Sequence, residues 1–270
     1  MNRIMIVIAL VVAGYFSLGA YLLSTQLPRY LFPKIVLTAQ TEELHQFKFY
    51  DGSNNQLLVR EYGQSNRQCL LFFPGRHGGI KKYEKSIINA FQKHNFKVFS
   101  FSYPGQDGAL GQVKTMAALL MLIGDAMSNI LNTCSSERTI VYGRSLGAMV
   151  AMYAVNDNKV SGIILDSVAP SLSIAIDSYL NSRWYLKPLS ILPITLLLPK
   201  NYQLNEPMLA LKETPISVFQ GDKDLQTPLQ QLQQHWTYGD NVSLYIVKNG
   251  KHSDTYSQAI NEILNVVDKL

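Results

Sequence analysis

Residues 139–150 read TIVYGRSLGAMV, and the fold turns on how that stretch is read. Thr139, Ile140, Val141 and Tyr142 make a β-branched and aromatic run that stops at Gly143. Ser145 follows, then Gly147, then Ala148, Met149, Val150 and Ala151, small and apolar enough for a buried helix. Gly-x-Ser-x-Gly between a strand and a helix is the context of a nucleophile elbow, a tight turn that pushes the serine clear of a sheet. The flanking glycines let the backbone turn without Cβ collisions. A serine hydroxyl is a weak nucleophile until a base takes its proton, so this reading requires a base and an orienting carboxylate elsewhere in the chain.

Outward from the elbow, short strand signals alternate with helical ones. Residues 45–50 and 56–62 flank Asp51-Gly52-Ser53-Asn54-Asn55 and read as a hairpin. Residues 69–73 form an apolar strand ending at Pro74-Gly75-Arg76-His77-Gly78-Gly79. Tyr83, Ile87, Ile88 and Phe91 then recur at helical spacing. A strand at 97–101 ends at Tyr103-Pro104-Gly105, and 112–131 reads as a long helix. Beyond the elbow come strands at 162–165, 215–219 and 242–247, and a final helix over about 254–270. This alternation implies βαβ units and a mostly parallel sheet. Ligands in such sheets sit at the carboxyl ends of the strands, and each glycine-containing turn falls at such an end.

Of the five histidines, His252 suits the base. It follows the last strand, in Asn249-Gly250-Lys251-His252, where a loop returns over the carboxyl edge of the sheet. His45 belongs to the first strand, His94 to a helix end, His235 to a helix beside Trp236, and His77 to the glycine-rich turn. The carboxylate lies in Gly221-Asp222-Lys223-Asp224-Leu225-Gln226-Thr227-Pro228. Asp224 is preferred, because the turn at Gly221 should carry the chain back by that point, leaving Asp222 to brace the turn. Asp166, after the preceding strand, is a third candidate.

The chain is 47% hydrophobic and 16% charged over 270 residues, enough for one large α/β domain. Residues 4–23 are apolar except for Tyr15, Ser17 and the glycines, and carry no charge, about the length that crosses a bilayer core. They read as a signal anchor within residues 1–25, or as a cleaved signal peptide ending near Ser17-Leu18-Gly19-Ala20. Residues 40–270 would form the domain, placed extracytoplasmically, or secreted if the segment is cleaved. The net charge of +5 is scattered; Lys81, Lys82 and Lys85 group on a helix as a solvated face. No basic stripe suggests nucleic acid. Cys69 and Cys134 precede two strands that would be neighbours, so in an oxidising compartment they suit a disulfide, the alternative being two buried thiols. No cysteine or histidine spacing suggests a metal, and no organic cofactor is indicated.

With these motifs in hand, the chain resembles the α/β-hydrolase superfamily, and within it membrane-anchored abhydrolase-domain serine hydrolases and their bacterial relatives. The matching segments are 75–79, 103–105, 143–147, 221–228 and 250–252. Pro74 stands where relatives often have His, and Pro104 where an Arg is common. The resemblance implies a sheet of about eight strands with helices on both faces and a small helical cap. It implies Ser145 as nucleophile, Asp224 as acid and His252 as base, in the expected chain order. It also implies an oxyanion hole from the backbone N–H groups of Leu146 and Arg76, the Arg76 side chain reaching solvent. Residues 171–214 read as the cap, rich in apolar and aromatic residues and broken by Pro188, Pro193 and Pro199. The expected function is a serine hydrolase acting on an acyl ester or thioester of a small or acylated substrate. A peptidase or amidase of the same fold, and a non-catalytic binding module, are the alternatives.

Overall fold

Alternation along single strands sorts the core into two layers, because successive side chains of a strand point to opposite faces. In the computed structural model, β3 (Gln68–Phe73) sends Cys69, Leu71 and Phe73 to one cluster and Leu70 and Phe72 to the other. The structure describes residues 3–36, 45–64, 68–77, 79–155, 159–208, 210–237 and 239–270. Gly78 of the glycine-rich turn and residues 40–44 at the expected domain start lie outside the described residues.

Among the described residues, eight strands form one sheet in the order β1-β2-β4-β3-β5-β6-β7-β8. They are β1 (Gln46–Tyr50), β2 (Gln56–Tyr62), β3, β4 (Phe96–Ser102), β5 (Thr139–Arg144), β6 (Gly162–Asp166), β7 (Ile216–Gly221) and β8 (Val242–Val247). β1–β2 and β2–β4 pair antiparallel, and the other neighbours pair parallel. One face is covered by the helices Met116–Leu131 and Leu146–Val155. The other is covered by a run composed of Lys81–Tyr83, a π-helical turn Glu84–Ile88 and Asn89–Lys93, together with Ile260–Val267. This is the α/β-hydrolase architecture, a mostly parallel sheet with helices on both faces.

The insertion between β6 and β7 holds Leu172–Asn181, a 3-10 segment Lys187–Ile191, Ile194–Leu197 and Asn205–Met208. The N-terminal helix Arg3–Thr25 is long and apolar enough to cross a membrane. Cys69 and Cys134 are joined in a disulfide with their Cα atoms 6.1 Å apart. Parallel pairing of β3 with β5 sets Cys69 opposite Thr139, five residues beyond Cys134, which brings the two thiols together.

Three boundaries differ from expectation. The helix expected over 112–131 begins at Met116, where Thr115 in extended conformation caps it by accepting from the Ala118 N–H at 3.1 Å. The final helix breaks at Ala259 into Thr255–Gln258 and Ile260–Val267. His45 precedes β1 and pairs with Glu61 at 3.1 Å.

Candidate active site

β5 runs straight into the turn. Ser145 has φ of 52°, in the left-handed region that side chains seldom adopt and that marks a constrained site. Its N–H donates to the Asp166 carbonyl at 2.8 Å, and its carbonyl accepts from Ala148 N–H at 2.9 Å. Two glycines permit the turn. A Cβ on Gly143 would reach the Ala148 backbone, and one on Gly147 would enter the carbonyls of Phe73 and Pro74. The elbow helix therefore rests directly on the end of β3.

The carboxyl ends of β7 and β8 bring the other two residues in. Gly221 packs on the Gly250 carbonyl, leaving no room for a side chain, and Lys223 N–H donates to the same carbonyl at 3.0 Å. The two loops are thereby held in register. His252 Nε2 lies 3.0 Å from Ser145 Oγ, and its Nδ1 lies 2.8 Å from Asp224 Oδ2. With Asp224 accepting from Nδ1–H, Nε2 is left to accept the serine proton.

Asp224 is buried and heavily bonded. Gln226 and Thr227 N–H groups donate to Oδ1 at 2.8 and 2.9 Å, and the Thr227 hydroxyl donates to Oδ2 at 2.7 Å. Burial works against its charge, but the His252 hydrogen bond and charge and the Thr227 bonds outweigh it, holding the carboxyl below its ordinary range. Gln220 steadies this loop by donating to the Thr227 carbonyl.

The other candidates separate cleanly. Asp222 is exposed. Asp166 is buried and turned to Arg144, with Nε and Oδ2 at 3.1 Å but out of line for a hydrogen bond. The Ser167 hydroxyl donates to its other oxygen at 2.8 Å. Burial pushes the Asp166 carboxyl up, with Arg144 opposing. Burial likewise disfavours the Arg144 charge, and Asp166 beside it more than restores it. His94 ends a helix 3.8 Å from Asp268, His235 closes the helix Leu229–His235, and His77 is exposed.

The turn after β3 lies against the elbow: a Cβ built on Gly75 would stand 3.2 Å from Ser145 Cβ. Leu146 opens the elbow helix, and Arg76 follows Gly75 in that turn. The Arg76 side chain, expected in solvent, instead donates from Nε to the Tyr30 carbonyl at 2.5 Å and lies 5.1 Å from the Tyr179 ring centre. It ties the linker after the N-terminal helix to the insertion between β6 and β7.

Sequence reasoning missed Arg144, Thr227 and Gln220. Arg144 stands 5.0 Å from the Tyr256 ring centre, donates to the Tyr83 hydroxyl at 3.3 Å, and donates to the His252 carbonyl. Its position next to Ser145 inside Gly-x-Ser-x-Gly was the available signal. Among the described residues no cluster of side chains could hold a metal ion.

Solved structures with this fold include an esterase of Pyrococcus furiosus, with a TM-score of 0.69 at 14% identity over 88% of this chain and 95% of that one. A carboxylesterase of Nitrososphaera gargenis gives 0.60 at 12% identity over 83% and 99%. The thioesterase domain from the curacin biosynthetic pathway gives 0.58 at 13% over 84% and 99%. At these identities the likeness is one of fold. A search of curated protein sequences finds no match. A family model described as serine aminopeptidase, S33, spans residues 64–206, just over half of the chain and the whole stretch from β3 through the elbow into the insertion before β7, and the chain belongs to that family of α/β hydrolases.

Proposed function

We propose that this protein is a serine hydrolase that cleaves an acyl ester or thioester through an acyl-enzyme. One observation carries the reading: an unbroken line from Ser145 Oγ through His252 at 3.0 Å to Asp224 at 2.8 Å, built from three separate loops. In this mechanism Ser145 attacks the substrate carbonyl as His252 Nε2 takes its proton. Asp224 holds the imidazole orientation and stabilises the imidazolium. The backbone N–H groups of Arg76 and Leu146 receive the developing oxyanion, an interaction worth about 3–4 kcal/mol per donor. His252 returns the proton to the leaving group, then activates water to release the acid. The chemistry draws on no metal or organic cofactor. The apolar cap favours a substrate with an acyl chain.

An N-terminal anchor with the domain on the extracytoplasmic side completes the reading. Its support is the apolar helix Arg3–Thr25 and the Cys69–Cys134 disulfide, a bond that persists in oxidising compartments.

A fluorophosphonate probe tests the nucleophile. Wild-type protein is expected to be labelled at Ser145, and Ser145→Ala to be unlabelled; labelling elsewhere, or none, would sink the assignment. Normal turnover in His252→Ala would remove His252 as the base. The family description favours amide hydrolysis as a second reading. Turnover of acyl esters, acyl thioesters and aminoacyl amides, compared side by side, separates the two.

A further inference from the structure

The N-terminal helix does not stand clear of the domain. Residues 3–14 are exposed throughout, but from Tyr15 onward one side of the helix packs inward. The Tyr15 hydroxyl donates to the Tyr185 carbonyl at 2.6 Å. Gly19 lies so close to Leu189 that a Cβ would stand 2.5 Å from a leucine methyl. Leu23 is buried, and the cap helix Ile194–Leu197 packs along the same helix.

These contacts constrain depth. Arg3 ends the apolar run, so its free part is residues 4–14, about 17 Å at the α-helical rise. A bilayer's hydrocarbon core is about 30 Å thick. If the helix crosses, the missing ~13 Å must come from the portion at Tyr15 and beyond, and that portion carries the cap beside it. The cap surface at this level is apolar and open. Trp184 is 87% exposed, Ile191 80% and Leu196 83%. Trp184 adjoins Tyr185, Ile191 lies two residues beyond Leu189, and Leu196 is on the helix that packs against the N-terminal one. Lys187, also exposed, supplies a cation that can reach lipid phosphates. Trp and Tyr favour the headgroup level and aliphatic residues the acyl layer.

We propose that cap residues 184–196 are embedded in one leaflet of the bilayer alongside the N-terminal helix. The domain is then held against the membrane by two adjoining apolar surfaces, and does not swing from a single tether. The same insertion also reaches the turn after β3, where Arg76 lies 5.1 Å from the Tyr179 ring centre.

The test uses the full chain in phosphatidylcholine vesicles whose acyl chains carry bromine, and needs no turnover. The chain has two tryptophans; Trp236 is 3% exposed, so the difference between wild type and Trp184→Phe isolates Trp184. Its emission is expected to be blue-shifted, at least halved by bromolipid and protected from aqueous iodide. Ile191→Glu with Leu196→Glu, both on the surface, should keep fluorophosphonate labelling and lose most of the bromine quenching. Red-shifted, iodide-quenched emission without a bromine effect would overturn the proposal in favour of a free tether. Protection from iodide without bromine quenching would overturn it in favour of a second copy covering this face. Unchanged quenching in the double glutamate variant would also overturn it.

Discussion

The Thr227 hydroxyl sits between two partners, donating to Asp224 Oδ2 at 2.7 Å and lying 3.3 Å from His252 Nδ1. Thr227→Val keeps the shape and removes both contacts. It is expected to lower kcat by about 10- to 100-fold, the ~1.5–3 kcal/mol of one hydrogen bond to a charged group, with KM little changed; steady-state kinetics on an acyl ester checks it. Asp224 has a stability signature of its own. Because its folded-state carboxyl titrates below its ordinary range, its stabilisation is complete at neutral pH and is lost as pH falls through the depressed value. The stability gap between wild type and Asp224→Asn should therefore stay constant down to about pH 4 and close below it, as thermal unfolding across that range would show. Arg144 and Asp166 make the opposite kind of test. Arg144→Met leaves a buried carboxylate without its cation and should cost about 3–5 kcal/mol in urea unfolding. Arg144→Met combined with Asp166→Asn should cost clearly less, and equal losses would show that the ion pair is not the cause.

Between β5 and its helix, the elbow is a backbone device, and its two glycines show why the motif spacing is strict. Both face backbone atoms and not flexible side chains, so neither neighbour can yield. Gly147→Ala is expected to destabilise by about 1–3 kcal/mol and to abolish fluorophosphonate labelling, since relief requires the helix to leave β3. Retained labelling at wild-type stability would show that the contact is not limiting. The element boundaries that sequence reading misplaced have local causes. Residues 112–115 carry no cap signal stronger than Thr115, and the structure starts the helix just after it. The C-terminal break at Ala259 follows no glycine or proline, so pattern alone ran the helix through it.

Taken whole, the molecule is cross-linked between its first parallel strand and the approach to β5. The disulfide closes a sequence separation of 65 residues, and restricting an unfolded chain over that length is worth about 4 kcal/mol by chain entropy, commonly less in practice. Cys69→Ser with Cys134→Ser should lower urea stability by about 2–4 kcal/mol and leave fluorophosphonate labelling of Ser145 unchanged. Alkylation of intact protein under non-reducing conditions should find no free thiol; two free thiols would remove the cross-link and with it the argument for an oxidising compartment.

Local preference was enough to read the order of elements, the elbow at Ser145 and the candidates His252 and Asp224, because glycines, β-branched runs and strand ends act over a few residues. It also placed Cys69 and Cys134 at one end of neighbouring strands. What it could not decide were matters of distance between loops. Asp224 faces His252, and Asp222 faces water, because Gly221 meets the Gly250 carbonyl. Arg144 turns to Asp166 and His252, and Arg76 bridges Tyr30 and Tyr179, because parallel register and the insertion before β7 bring together segments far apart in the chain. Those contacts belong to the packed sheet and the insertion against it, and no local sequence pattern specifies them.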